Sequence, residues 1–139
     1  MELILWRHAD AEDGADDLAR KLTAKGEKQA QAMAKWLRAR LPAKFALVAS
    51  PAVRAQQTAG ALDSSIETDN SLAPGASPAA IVKAAERRKG LVIIVGHQPD
   101  LGRAAAQLLG MKGECRIEKG ALWWFDDDKV RAVMSPDLL

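Results

Sequence analysis

The chain has little cysteine, little net charge and no long apolar run, and each shortage excludes a class of protein. The single cysteine, Cys115, cannot form an internal disulfide or a multi-cysteine metal site, which favours a reducing, cytoplasmic location. A formal charge of +2, from 20 basic and 18 acidic side chains, does not indicate a nucleic-acid-binding protein. Apolar runs such as residues 91–95 are far shorter than the roughly 20 residues of a membrane helix.

What remains is the composition of an ordinary globular protein. Hydrophobic residues make up 48% of the chain and charged residues 27%, which argues against disorder. A length of 139 residues is short for two independent cores, so we predict a single domain over residues 1–139. Residues 1–6 have no basic leader and run directly into charged sequence, so we expect a strand there and not a signal peptide.

Short apolar runs alternate with longer amphipathic segments along most of the sequence. The runs predict strands at 2–6, 45–49, 91–95, 121–125 and 130–134. The amphipathic segments predict helices from Thr23 to about Leu41, and over 51–62, 78–85 and 99–109. Residues 63–77 are predicted to be an irregular loop. This alternation implies an α/β fold with a mostly parallel central sheet, helices on both faces and right-handed crossovers.

Both histidines of the chain stand just past the end of an apolar run. His8 follows the first run, and His97 follows the run that ends at position 95. Because parallel strands end at one edge of an open sheet, we expect the two imidazoles to share the ligand crevice at that edge. Arg7 immediately precedes His8, and Arg54 lies in the first turns of the predicted helix after the second run. Both guanidinium groups are therefore expected in the same crevice.

A crevice with two imidazoles and two guanidinium groups suits a compact dianion. A guanidinium group can donate two parallel hydrogen bonds to two oxygens of one phosphate, and an exposed helix N-terminus adds positive potential. The arginines also disfavour the charged imidazolium, so a neighbouring histidine would stay neutral and nucleophilic near neutral pH. The second histidine could donate to the phosphoryl oxygens. No metal or other cofactor is expected, since the two arginines would oppose a bound cation.

Four segments of the sequence resemble the motifs of one protein family. Arg7-His8-Ala9 resembles the signature of the histidine phosphatase superfamily, which has the phosphoglycerate mutase-like fold. Residues 5–11, 22–26, 50–59 and 96–99 read LWRHADA, LTAKG, SPAVRAQQTA and GHQP. In this order they are similar to the small SixA-type phosphohistidine phosphatases. The ending 134–136 also fits, so the resemblance spans nearly the whole chain.

The resemblance implies a three-layer α/β/α sandwich of minimal form, without a large cap, and it implies a role for each site residue. His8 would attack phosphorus and carry the phosphoryl group, while Arg7, Arg54 and His97 would hold the phosphate. Arg20 matches an arginine that can also reach the anion in these small members.

The sequence departs from the family pattern in two respects: alanine stands at position 9, and no residue clearly matches the general acid of the larger family members. The family has glycine at the position of Ala9, and glycine adopts positive φ more readily than alanine does. Residues 58–90 are too few for a large cap that would carry an acid, which leaves Asp10 and Asp17 as candidate proton donors. An imidazole leaves far more easily than an alkoxide, so a site without an obvious acid favours phosphohistidine over a phosphate ester.

The sequence therefore predicts a metal-independent phosphatase that hydrolyses phosphohistidine in proteins through a phosphohistidine intermediate on His8. The resemblance implies that its partner would be a histidine-phosphorylated signalling or phosphocarrier protein. Two alternatives stay open: a small-molecule phosphomonoesterase that uses the same residues, and a non-catalytic phosphoprotein-binding module in which Ala9 has spoiled the site. We also expect a monomer that binds phosphate but neither nucleic acid nor membranes.

Overall fold

The apolar runs of the sequence form the strands of one six-stranded sheet, in a computed structural model that describes residues 1–139. The strands are β1 (Glu2–Arg7), β2 (Ala46–Ala49), β3 (Glu67–Thr68), β4 (Leu91–Gly96), β5 (Leu122–Asp126) and β6 (Lys129–Met134). The helices are α1 (Ala24–Arg38), α2 (Val53–Leu62), α3 (Pro78–Glu86) and α4 (Asp100–Leu108). Short 3-10 helices lie at Asp17–Ala19, Asn70–Leu72 and Pro136–Leu138.

The sheet is parallel on one side and antiparallel on the other. Its strand order is β3-β2-β4-β1-β5-β6, and the first four of these strands are parallel to one another. The hairpin of β5 and β6 adds the antiparallel edge next to β1. The predicted mostly parallel sheet is confirmed, and its order makes β1 and β4 central neighbours.

Alternating side chains of the strands divide the core into two layers, because successive residues of a strand face opposite sides. Leu3 and Leu5 of β1 pack in a cluster with side chains of α3 and α4. Ile4 and Trp6 pack on the opposite face, in a cluster with side chains of α1 and α2. The three-layer α/β/α arrangement is thus confirmed. None of the four helices combines the length and the apolarity that crossing a membrane requires.

Three helices differ from the sequence prediction at their ends. Thr23 caps α1 as predicted, since its hydroxyl accepts from the Gly26 N–H at 3.0 Å, but α1 ends at Arg38 instead of about Leu41. Pro51 lies before α2, because Ala52 is extended and serves as the N-cap. Pro99 similarly precedes α4 as its N-cap. In the last two cases the proline shapes the turn that leads from a strand into a helix.

The prediction of an irregular loop over residues 63–77 was wrong in part. The segment contains β3, which pairs in parallel with β2, and the 3-10 helix Asn70–Leu72. A strand of two exposed residues has no hydrophobic alternation for a sequence pattern to register.

Candidate active site

β1 and β4 end side by side, and a histidine follows each of them. Arg7 is paired with Gly96 at the end of the ladder, and the His8 N–H donates to the Gly96 carbonyl at 3.0 Å. The rings of His8 and His97 are both buried, with centroids 5.2 Å apart and planes tilted by 54°. The parallel pairing of two strands that are distant in sequence thus brings the imidazoles into contact.

A pocket of about 490 Å³ opens at this edge of the sheet and contains nearly all of the predicted site residues. Its lining consists of Arg7, His8, Ala11, Asp17, Arg20, Arg54, Pro74, Gly75, His97, Gln98, Pro99, Asp100, Arg103 and Lys119. Asp10 is the only residue proposed from the sequence that does not line it.

One ring nitrogen of His8 is engaged by the backbone. Nδ1 lies 2.7 Å from the Ala9 carbonyl oxygen, and since a carbonyl can only accept, Nδ1 carries the proton and donates it. In the neutral ring, Nε2 therefore holds the lone pair. The Ala9 N–H in turn donates to the Thr58 hydroxyl at 3.1 Å, which ties the residue after His8 to α2. Ala9 does not have a positive φ, so alanine in place of the family's glycine introduces no backbone strain.

Both imidazoles are held in the neutral form. Burial is the main cause that lowers the pKa of His8 to about 4, and the charges of Arg54, Arg7 and Arg20 lower it further. Burial also lowers the pKa of His97 to about 3, with the proximity of His8 and Arg54 adding to the effect. The sequence pointed to the arginines as the cause, whereas the structure makes desolvation the larger one.

Asp17 joins two of the arginines. Its carbonyl oxygen accepts from Arg54 Nη1 at 2.6 Å and its Oδ2 from Arg54 Nη2 at 3.2 Å, while its Oδ1 accepts from Arg20 Nη1 at 3.1 Å. The hydrogen bond from Arg20 is the main cause that lowers the pKa of this carboxyl group, followed by the bond from Arg54. Asp17 is therefore an ionised bridge between the two guanidinium groups. Asp17 and Arg20 are three residues apart, and this spacing is the sequence signal that could have indicated the ion pair between them.

Asp10 does not line the pocket, and its carboxylate is held by two side chains. Its Oδ2 accepts from the Thr23 hydroxyl at 2.7 Å and its Oδ1 from Lys119 Nζ at 3.0 Å; these two bonds lower the pKa of the carboxyl group. The backbone of Asp10 lies so close to the first turn of α1 that a Cβ on Gly26 would be 1.9 Å from the carbonyl oxygen of Asp10. The glycine of the LTAKG segment is therefore required by this contact.

Three residues that line the pocket each have a buried nitrogen with no hydrogen-bond partner in the protein. These nitrogens are Arg7 Nε, Arg54 Nε and His97 Nδ1. Buried polar groups are nearly always paired, and an unpaired one costs about 1–3 kcal/mol. Arg7 and Arg54 use their terminal nitrogens on protein carbonyl and carboxylate oxygens, which leaves the Nε side of each fork free. An oxyanion in the pocket would provide the missing acceptors.

Ser50 and Asp100 are site residues that the sequence analysis did not single out. The Ser50 hydroxyl lies 2.8 Å from His97 Nε2, although the two residues are 47 positions apart. Asp100 is buried and accepts from the N–H groups of Gly75 and Ala76 at 2.8 and 3.1 Å, which holds that segment at the pocket rim. No group of three or more histidine, cysteine, aspartate or glutamate side chains is arranged to hold a metal ion.

Comparisons with known proteins agree with this geometry. The family model of the histidine phosphatase superfamily (branch 1) matches residues 3–75. An uncharacterized protein of Picosynechococcus is 37% identical over 127 residues, which cover 81% of this chain and 76% of that protein. An uncharacterized protein of Mycobacterium tuberculosis is 32% identical over 114 residues, with 77% and 72% covered.

Among solved structures, the protein histidine phosphatase SixA complexed with tungstate matches with a TM-score of 0.85. It is 26% identical, and 99% of each chain is covered. The matched family model, the sequence relatives and this similarity to SixA lead to one conclusion. The chain belongs to the histidine phosphatase superfamily, branch 1, and is of the SixA type.

Proposed function

We propose that this protein is a phosphatase that hydrolyses phosphohistidine in proteins through a covalent phosphoryl intermediate on His8. The observation that carries the proposal is the state of His8: a neutral ring whose proton is fixed at Nδ1 and whose Nε2 lone pair is free, in a pocket with unpaired cationic donors. A neutral imidazole nitrogen is a nucleophile, and fixed donors stabilise the charge of a transferring phosphoryl group. The family and the SixA-like fold support the phosphatase class.

In the first transfer, the Nε2 lone pair of His8 forms a bond to phosphorus. The bond from phosphorus to the substrate imidazole breaks, and its electron pair leaves with that nitrogen, which takes a proton from solvent. Arg7, Arg54 and His97 donate to the phosphoryl oxygens, and Arg20 adds positive charge at the rim.

In the second transfer, water attacks the phosphorus of the phosphorylated ring. The bond between Nε2 and phosphorus breaks, its electron pair returns to Nε2, and the proton of the water passes to solvent as phosphate leaves. Throughout both steps the Ala9 carbonyl holds the Nδ1 proton of His8, so that Nε2 is the only ring nitrogen that reacts.

The choice of a phosphohistidine substrate rests on the carboxyl groups of the pocket. Asp17 is ion-paired with a lowered pKa, and Asp100 accepts two backbone hydrogen bonds. Asp10, the other candidate donor, has a lowered pKa and faces Thr23 and Lys119. With their lowered pKa values, Asp17 and Asp10 are not placed as protonated acids, which an alkoxide leaving group would need and a departing imidazole needs far less.

The same donor set supports catalysis without a metal. Two guanidinium groups oppose a cation at the histidines, and the carboxylate of Asp17 is already paired with both Arg20 and Arg54. We extend the proposal to a single catalytic domain that acts as a monomer in the cytoplasm on a phosphotransfer or phosphocarrier protein. Activity that is unchanged after exhaustive chelation, and not increased by added divalent cations, is the expected result.

The intermediate can be tested by trapping. Brief incubation of the protein with a phosphohistidine protein labelled in the phosphoryl group should transfer an acid-labile, alkali-stable label to the wild-type enzyme. The variant His8→Ala should acquire none, while the matched variant His97→Ala keeps the nucleophile and should still acquire label, more slowly. Equal labelling of the wild type and His8→Ala would remove His8 from the role of nucleophile.

The substrate class needs a separate comparison of kcat/KM values. A phosphohistidine peptide should be turned over with a higher kcat/KM than aryl and sugar phosphates. A preference for the esters above about tenfold, roughly 1.4 kcal/mol in transition-state binding, would make the protein a phosphomonoesterase instead. Binding of vanadate without turnover of any substrate, and without label on His8, would make it a phosphoprotein-binding module.

A further inference from the structure

The hydroxyl of Ser50 connects the end of β2 to the second histidine of the site. Ser50 directly follows β2, is fully buried, and its Oγ lies 2.8 Å from His97 Nε2. The same oxygen accepts from the backbone N–H of Ala52 at 3.2 Å, in the turn that leads into α2. The hydroxyl is therefore placed between a fixed backbone donor and one end of the imidazole.

The direction of the hydrogen bond between Ser50 and His97 follows from the protons available. A serine hydroxyl has one proton to donate and can accept two hydrogen bonds. If His97 Nε2 carried a proton, Ser50 Oγ would accept from both neighbours, and its own proton would be left without an acceptor in a buried site. If the hydroxyl donates to Nε2 instead, the Ala52 N–H, the hydroxyl and Nε2 are all satisfied. The second arrangement is favoured because it leaves only Nδ1 of His97 unpaired, whereas the first leaves both Nδ1 and the hydroxyl proton unpaired, and each unpaired buried polar group is destabilising.

This direction determines where His97 carries its proton. A neutral imidazole that accepts at Nε2 must be protonated at Nδ1, and Nδ1 is the buried nitrogen of His97 that has no acceptor in the protein. Both histidines are then Nδ1–H tautomers, fixed by different partners: the Ala9 carbonyl accepts from His8, and the Ser50 hydroxyl donates to His97. His8 is left with a free lone pair on Nε2, and His97 is left with a free N–H donor at Nδ1.

We propose that Ser50 is a positioning residue that fixes His97 as the Nδ1–H tautomer, so that the neutral ring donates from Nδ1 to an oxygen of the bound phosphoryl group. The tautomer follows from the hydrogen bonds alone, whereas the role of the donor in turnover rests on the proposed function. Ser50 touches neither the phosphoryl group nor the nucleophile in this arrangement, and it acts through His97.

The tautomer can be measured directly, because the chain has only two histidines. Nitrogen-15 NMR of the labelled full-length protein at about pH 7, where both rings are neutral, separates protonated from unprotonated ring nitrogens. The His8→Gln variant assigns the two sets of signals. In the wild type, Nε2 of His97 should be unprotonated and Nδ1 protonated. A wild-type spectrum with a protonated Nε2 on His97 would overturn the proposal without any variant.

The Ser50→Ala variant tests the cause. It should convert His97 to a mixture of tautomers and weaken the binding of orthovanadate by about tenfold, the value of one lost hydrogen bond to a charged group. The kcat/KM for the phosphohistidine peptide should fall by at least as much. Ser77→Ala is the matched control, because it also removes a serine hydroxyl that accepts from a backbone N–H, at the N-terminus of α3. It should leave the His97 signals and the vanadate affinity unchanged.

Two outcomes keep this proposal separate from the proposed function. If Ser50→Ala folds, retains a single Nδ1–H tautomer and binds vanadate within about twofold of the wild type, Ser50 does not position His97. If instead the tautomer and vanadate results are as expected but the wild type turns over no phosphohistidine, the positioning role stands and the proposed substrate is wrong.

Discussion

Acidification to pH 5 is expected to destabilise this protein through its two buried histidines. In the folded state the pKa values are about 4 for His8 and about 3 for His97, mainly because both rings are buried. In the unfolded chain both titrate near 6.5. Between these values the unfolded state binds protons that the folded state does not, so the free energy of unfolding rises with pH in this window and falls as pH decreases below about 6.5.

The magnitude follows from the size of the window. A group with a pKa of 6.5 unfolded and about 4 folded contributes about 3 kcal/mol across the full window. Over the part of it between pH 7 and pH 5, each ring accounts for about 2 kcal/mol. The aspartates with lowered pKa values, such as Asp17, have unfolded values near 3.8 and lose their contribution only at lower pH. The change between pH 7 and 5 is therefore dominated by His8 and His97.

Urea unfolding at pH 7, 6 and 5 provides the measurement, with matched variants in which glutamine replaces the histidines. We expect the wild type to lose about 4 kcal/mol between pH 7 and 5, the His8→Gln variant about half of that, and the double variant with His97→Gln less than about 1 kcal/mol. The double variant contains no histidine, since the chain has only these two. Equal pH dependence in the wild type and the double variant would refute the burial of neutral imidazoles.

Three further predictions concern the site and its support. The pH profile of kcat/KM, corrected for spontaneous hydrolysis, should be flat from about pH 5 to 8 and should decrease below that as His8, with its pKa of about 4, becomes protonated; a decrease centred near 6.5 would contradict it. Arg54→Ala should lower kcat/KM by roughly 10²–10³, because a buried donor to the transferring group is lost; a loss below about fivefold would exclude Arg54 from this role. Gly26→Ala should lower the free energy of unfolding by about 1–3 kcal/mol, because its Cβ would lie 1.9 Å from the Asp10 oxygen. Thermal unfolding measures this last effect, and an unchanged midpoint would contradict the contact.

The sequence predicted the position of the two histidines because a general rule of parallel sheets connects them. The runs before His8 and His97 are apolar enough to be recognised as buried strands, and adjacent parallel strands bring their ends together wherever they occur in the chain. The same rule places Arg54, because α2 begins at the same edge. The positions of these residues could therefore be predicted from the parallel arrangement of the strands, without any detail of the loops.

Side-chain contacts across loops were beyond such a rule. Asp17 was predicted as a proton donor, yet its surroundings depend on a short 3-10 helix that brings it to Arg54, 37 residues further along the chain. In the sequence Ser50 is only one residue of a motif, and its partner His97 is 47 residues away. The pKa values were attributed to arginines because the sequence shows charge directly, whereas burial depends on the packed structure.

The proposed function places two requirements on the site that oppose each other in water. A strongly anionic group needs positive donors, whereas a nucleophilic imidazole must remain unprotonated beside that anion, which would favour its charged form. Burial resolves the conflict, because desolvation lowers the pKa of His8 more than any neighbouring charge changes it. The cost is a set of buried nitrogens without acceptors, on Arg7, Arg54 and His97, in the protein alone. Under the proposed function an incoming oxyanion supplies those acceptors, so the groups that are unpaired in the protein alone are the ones that stabilise the bound anion.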